Sequence, residues 1–144
     1  MSTPGISVHL AEGVLPLAHA GGWSCLAAPA LIWSLAGERH ARDDPSSTVL
    51  IAGATSLLFA ATLLPLPVPV AGATSHICLT PLLALMVGVR RVVWPTCFVL
   101  LLQALFFAHG GLTTLGVNTL TLGLLGPLVT VGLWGLFRRV GLGG

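Results

Sequence analysis

The chain has 144 residues, of which six are basic and four acidic, while 55% are hydrophobic. A soluble domain keeps its surface wetted with roughly 25% charged residues; at 7% the solvent of this chain is a bilayer. The net charge of +2 comes without any basic stripe, which excludes a phosphate-backbone partner, so no nucleic acid is expected.

Residues 1–13 form an N-terminal segment ahead of the apolar part of the chain, 14–144. With no basic start and no early apolar run, Met1 to Val8 is not a signal peptide. A hydrocarbon core about 30 Å thick takes about 20 apolar residues per helix, fewer where the bilayer thins. On that basis spans are expected at about 14–36, 48–68, 73–89, 92–108 and 120–137. A Gly-rich stretch from Gly110 to Asn118, short enough to dip into the membrane without crossing it, precedes the last span. The fold class is therefore an all-α integral membrane protein, a helical bundle of about five transmembrane segments with a re-entrant Gly-rich loop. Pro29, Pro81, Pro95 and Pro127 fall within spans, where broken helices often line transport sites. In the charged loop after the first span, Ser46, Ser47 or Thr48 is placed to cap the second helix.

Every basic residue is an arginine, and the arginines come in pairs: Arg39 and Arg42, Arg90 and Arg91, Arg138 and Arg139. Because arginine near span ends is retained in the cytoplasm, the pairs demand an outside N-terminus and an inside C-terminus. His9, His76 and His109 then share the outer face, with His19 near the outer interface and His40 in a cytoplasmic loop. Each imidazole alone is a packing group, a proton carrier or a metal ligand. Their convergence brings a site for Ni, Cu, Co or Zn level with the packing reading, and the lack of clustered carboxylates excludes Mg and Ca. Glu12 follows His9 by one helical turn, where it is either a hydrogen-bonding partner of that imidazole or a solvated carboxylate. Cys78 does not face the same way as His76 on a helix, and Cys25, Cys78 and Cys97 read as reduced packing residues.

No HExxH, Walker A or G-x-S-x-G motif is present, so binding or transport is favoured over catalysis. Ala52, Ser56 and Ala60 make a small-residue ridge on the second span, suited to close helix approach by a partner or within the chain. Gln103, an amide at membrane depth, requires an internal partner.

The run from Leu102 through Gln103, His109 and Asn118 to Leu120, followed by Gly126-Pro127, closely resembles the signature of the CbiM/NikM family. These are the substrate-binding membrane (S) components of cobalt/nickel energy-coupling-factor (ECF) transporters. The block His9-Leu-Ala-Glu-Gly-Val-Leu-Pro16 is similar to the family's N-terminal motif, and Pro67 to His76 to its second histidine segment. The resemblance implies a square-planar nitrogen site for Ni(II) or Co(II) as transported substrate. Its ligands would be the free amine of residue 8, the backbone nitrogen and imidazole of His9, and the imidazole of His76, with His109, Gln103 and Asn118 in support. It also implies a prokaryotic cytoplasmic membrane, an ECF T component (CbiQ/NikQ-like), ATPase subunits (CbiO/NikO-like) and a small CbiN/NikN-like subunit as partners, and no organic cofactor.

The chain departs from that pattern in three places. Val8 stands where the family has its initiator Met, which fits translation starting there from a GTG codon. Ile77-Cys78-Leu79 replaces the usual Pro-Thr-Gly after the second histidine. The family's last membrane helices have no counterpart after Arg139, so a shortened member or a fragment is expected. The alternatives are a truncated, non-transporting membrane paralogue acting as an interaction protein and, less well matched, a haem or copper protein.

Overall fold

The computed structural model describes residues 13–41, 44–67, 74–76, 78–107 and 110–141. The chain folds into helices α1 (Leu17–Ala41), α2 (Pro45–Leu63), α3 (Thr80–Val87), α4 (Val89–Phe106), α5 (Leu115–Asn118) and α6 (Gly126–Arg139). A π-helical segment, Thr119–Leu125, joins α5 to α6 without a break. Two short strands, β1 (Pro65–Pro67) and β2 (Thr74–His76), lie between α2 and α3. Among the described residues the result is an all-α bundle of five helical rods carrying one small pair of strands.

Among the described residues, Pro45–Leu63, Val89–Phe106 and Leu115–Arg139 are long and apolar enough to cross a membrane. Large apolar side chains face outward along the rods, with Ile32, Val49, Phe106 and Val129 all exposed, as expected where lipid is the solvent. The interior is built from Leu58 of α2, Leu83 and Ala84 of α3, and Val92 and Val99 of α4, with Val131 of α6 packed against them.

Several boundaries differ from the hydropathy reading, each for a local reason. The apolar run 73–89 is not one helix: Thr74–His76 is extended, and α3 starts only at Thr80, with a proline in its first turn. Gly88 then takes φ +90°, a left-handed conformation that frees the chain to restart as α4. The last rod begins at Leu115, ahead of the expected 120, because the second half of the Gly-rich stretch is helical. Pro29 and Pro95 lie inside continuous helices rather than at breaks. Helix α2 is capped by none of Ser46, Ser47 and Thr48. The Asp44 carboxylate accepts from the backbone N–H of Ser46 at 3.1 Å and from its hydroxyl at 2.7 Å, and Pro45 supplies a preset first residue. Those Ser46 hydrogen bonds hold the Asp44 carboxyl below its ordinary pKa.

At the end of the bundle where α1 finishes and α4 starts, polar groups tie the rods together. Ser34 Oγ, fully buried, donates to the carbonyl of Arg90 at 2.6 Å and accepts the N–H of Trp94 at 3.1 Å. A side chain of α1 is thus inserted into the first turn of the α4 ladder. Arg91 Nε donates to Glu38 Oε1 at 2.9 Å, and its Nη2 donates to Ser47 Oγ at 2.6 Å, linking α1, α2 and α4. Arg90 Nε donates to the carbonyl of Trp33 at 2.8 Å, with its guanidinium 5.6 Å from that ring's centroid.

Candidate functional site

The opposite end of the bundle is where α2 and α4 finish and α5 begins. Here Gln103 of α4 is fully buried and its Nε2 donates to Thr62 Oγ1 of α2 at 2.6 Å. The Thr62 hydroxyl in turn donates to the carbonyl of Leu58 at 2.7 Å. One turn away, the rings of Phe59 and Phe107 meet edge to face, centroids 5.7 Å apart, so the same two helices are joined by both a polar and an aromatic contact. Gln103 Oε1 has no hydrogen-bond partner among the described residues, an uncommon condition for a buried acceptor.

Asn118, the last residue of α5, is buried, and its Nδ2 donates to Thr114 Oγ1 at 3.3 Å. Thr114, also fully buried, donates to the carbonyl of Gly111 at 3.1 Å. These bonds close the loop that leads from 110 into α5. Gly116 allows that helix to lie on α1: a Cβ there would sit 2.6 Å from the backbone nitrogen of Ser24.

His76 is the last residue of β2, where it pairs in antiparallel register with Pro65, next to the end of α2. Strand β2 rests against α2. Residues Val8, His9, Glu12 and His109 lie outside the described residues, as does the side chain of His76. Among the described residues no three His, Cys, Asp or Glu side chains cluster as a metal site. Cys25, Cys78 and Cys97 carry free thiols, with Cys78 Sγ 3.1 Å from Thr80 Oγ1. His19 is exposed on the first turn of α1.

Thr62 was not among the expected site residues. Its signal in the sequence was indirect: an amide at membrane depth needs a polar neighbour, and Thr62 lies near the end of the preceding long apolar segment. Ala52, Ser56 and Ala60 are exposed on α2, so the ridge is not buried by an internal contact. Ala52 and Ser56 line a furrow of about 320 Å³ between α2 and α4, with Trp94 and Phe98 on its other side and Glu38 also in its lining.

Long apolar rods with outward-facing Leu, Ile and Phe, and polar groups paired inside, define a multi-pass membrane protein. Comparison with known proteins then gives its family. A family profile described as CbiM, cobalt uptake substrate-specific transmembrane region, matches residues 9–143, and the chain belongs to the CbiM family. Cobalt transport proteins CbiM from Moorella thermoacetica and Geobacter sulfurreducens are each 37% identical to it, over 97% and 99% of this chain and 54% and 42% of their own lengths. That of Sorangium cellulosum is 40% identical over 93% of this chain and 60% of its own. The chain thus spans about half the length of the curated relatives it matches. A crystal structure of a truncated transition metal transporter superposes with a TM-score of 0.81 at 25% identity, covering 94% of this chain and 62% of the other. A second transition metal transporter structure shares the fold, with a TM-score of 0.80. The family is one of transporter membrane components rather than of enzymes.

Proposed function

We propose that the chain is the substrate-capture membrane component of an ECF-type transporter for uptake of Ni(II) or Co(II). The observation that carries the reading is the family match, which begins at His9 and runs through residue 143. His9 and His76 would bind the ion through imidazole nitrogen, with the amine of Val8 as a further ligand where translation starts at that residue. His109, Glu12, Gln103 and Asn118 would support the site. Such ligands suit borderline ions like Ni(II) and Co(II), and all must be deprotonated, so capture weakens as pH falls.

The arginine pairs support a cytoplasmic C-terminus with the histidines on the outer face; the membrane would be a prokaryotic cytoplasmic membrane. The chain has no nucleotide-binding motif, so energy comes from ATPase subunits acting through a membrane T component, with a small CbiN/NikN-like subunit as a further partner. The ridge of Ala52, Ser56 and Ala60 is a surface on which a partner helix can approach closely.

The test is metal accumulation in cells expressing the chain with T and ATPase subunits. The reading expects Ni(II) or Co(II) uptake that His9→Ala and His76→Ala each abolish. Neither metal binding nor uptake would instead make it a non-transporting paralogue in which His9 and His76 only pack, and uptake unaffected by both substitutions would remove the proposed ligands.

A further inference from the structure

We propose that the hydrogen bond between Thr62 and Gln103 is a clamp that positions the hairpin bearing His76, so that both residues set metal affinity by acting through that histidine. The inference rests on the reading of the chain as a Ni(II) or Co(II) capture protein.

The clamp has a defined polarity. Thr62 has one hydroxyl proton, and it is directed to the carbonyl of Leu58 at 2.7 Å, leaving only lone pairs to face α4. Gln103 can therefore meet Thr62 only through its NH₂ group, as it does at 2.6 Å. Because Gln103 Oε1 has no partner among the described residues, this is the bond among them that orients the carboxamide. Both side chains are buried, at 9% and 0% exposure, where no water competes for the bond and breaking it leaves unpaired polar groups.

The hairpin depends on that anchor. After Thr62 the chain has only Leu63 and Leu64 before β1, and Leu64 is already extended, with φ −78° and ψ 109°. A link so short transmits a movement of the helix end instead of absorbing it. Across the strand pair Pro65 stands opposite His76. Pro65 and Pro67 have no N–H to donate, so of the three residues of β1 only Leu66 offers a backbone donor to β2. A strand pair this short and this poor in donors does not hold its own position, and β2 rests on α2. Locking the end of α2 to α4 therefore locks the backbone of His76 in place. A group hydrogen-bonded directly to a metal ligand commonly costs about 10–100-fold in affinity when removed; the clamp acts one step further out, through the backbone of His76, so the low end of that range applies.

The experiment uses the full chain in detergent or nanodiscs with Ni(II) and Co(II) as probes. Thr62→Val and Gln103→Leu should each weaken binding about 10-fold, and the double variant should be no weaker than the worse single one, because both remove one interaction. Thr62→Ser, which keeps the hydroxyl, should bind like the parent chain. In a cysteine-free background, spin labels at Ser75 and Leu105 should show a wider distance distribution in Gln103→Leu than in the parent, with no metal present. Wild-type affinity in folded Thr62→Val and Gln103→Leu, fully additive losses, or an unchanged distance distribution would overturn the clamp. Failure of the parent chain to bind either metal, with the distance distribution still widening, would overturn the capture reading while supporting the clamp.

Discussion

Gly116 lies against the backbone of Ser24 so closely that a methyl group at 116 would fall 2.6 Å from the Ser24 nitrogen and 2.7 Å from its Cα. The atoms that would be struck are main-chain atoms of α1, which cannot swing away as the end of a side chain can. Gly116→Ala must push α5 off α1, and overpacking of this kind costs about 1–3 kcal/mol. A lower thermal midpoint for Gly116→Ala in detergent is the expected result. Gly53→Ala is the matched control: nothing lies within 4 Å of a Cβ there, and the midpoint should hold or rise.

Ser34 is a second point where one helix enters another. Ser34→Ala removes both the donor to Arg90 O and the acceptor for Trp94 N–H. The α4 turn can regain part of the loss by closing its own bond from Trp94 to Arg90, which leaves a cost of about 1–2 kcal/mol. Chemical denaturation should show the loss, and amide exchange at Trp94 should accelerate.

Arg91 and Glu38 have side chains only 23% and 12% exposed. Arg91→Ala leaves Glu38 poorly solvated and frees Ser47 Oγ, so the loss should exceed that of an exposed pair, about 1 kcal/mol or less, without reaching the value for a fully buried one. The double variant Arg91→Leu/Glu38→Leu should be more stable than Arg91→Ala alone, since no charge remains without a partner.

Asp44 gives the α2 cap a pH dependence. Its folded pKa is below 3.8, so its stabilising effect is present above the ordinary carboxylate range and is lost as pH falls through the folded value. The gap in thermal midpoint between the parent chain and Asp44→Ala should be constant near neutral pH and narrow in strong acid. A gap that widened on acidification would contradict the assignment of Asp44 as the cap.

The membrane class of the fold was legible in composition alone, since ten charges cannot wet the surface of 144 residues. The helices Pro45–Leu63 and Val89–Phe106 were legible as long apolar runs. The expected third span was not, because an apolar run such as 73–89 has no periodicity that separates strand from helix; the decision lies in Pro65 pairing with His76, a contact with α2's own continuation. Gly116 read as a loop residue because its composition signals a turn, whereas its role is to let two backbones touch, which only the packed structure reveals. Gln103 was recognisable as an amide that must be satisfied, but Thr62, 41 positions away in sequence, was one of several candidate hydroxyls. The small-residue ridge on α2 was legible as a pattern, but whether it packs within the chain was not; its exposure shows that nothing among the described residues covers it.

The central claim is that the chain captures Ni(II) or Co(II) through His9 and His76. The most direct measurement is intact-mass spectrometry of the natively expressed protein followed by titration of that same sample with each metal, alongside His76→Ala. The account predicts a chain starting with Met at position 8 that binds one ion per chain, with binding lost in the variant. A chain that starts there and binds no ion, or binds equally well after His76→Ala, would contradict it.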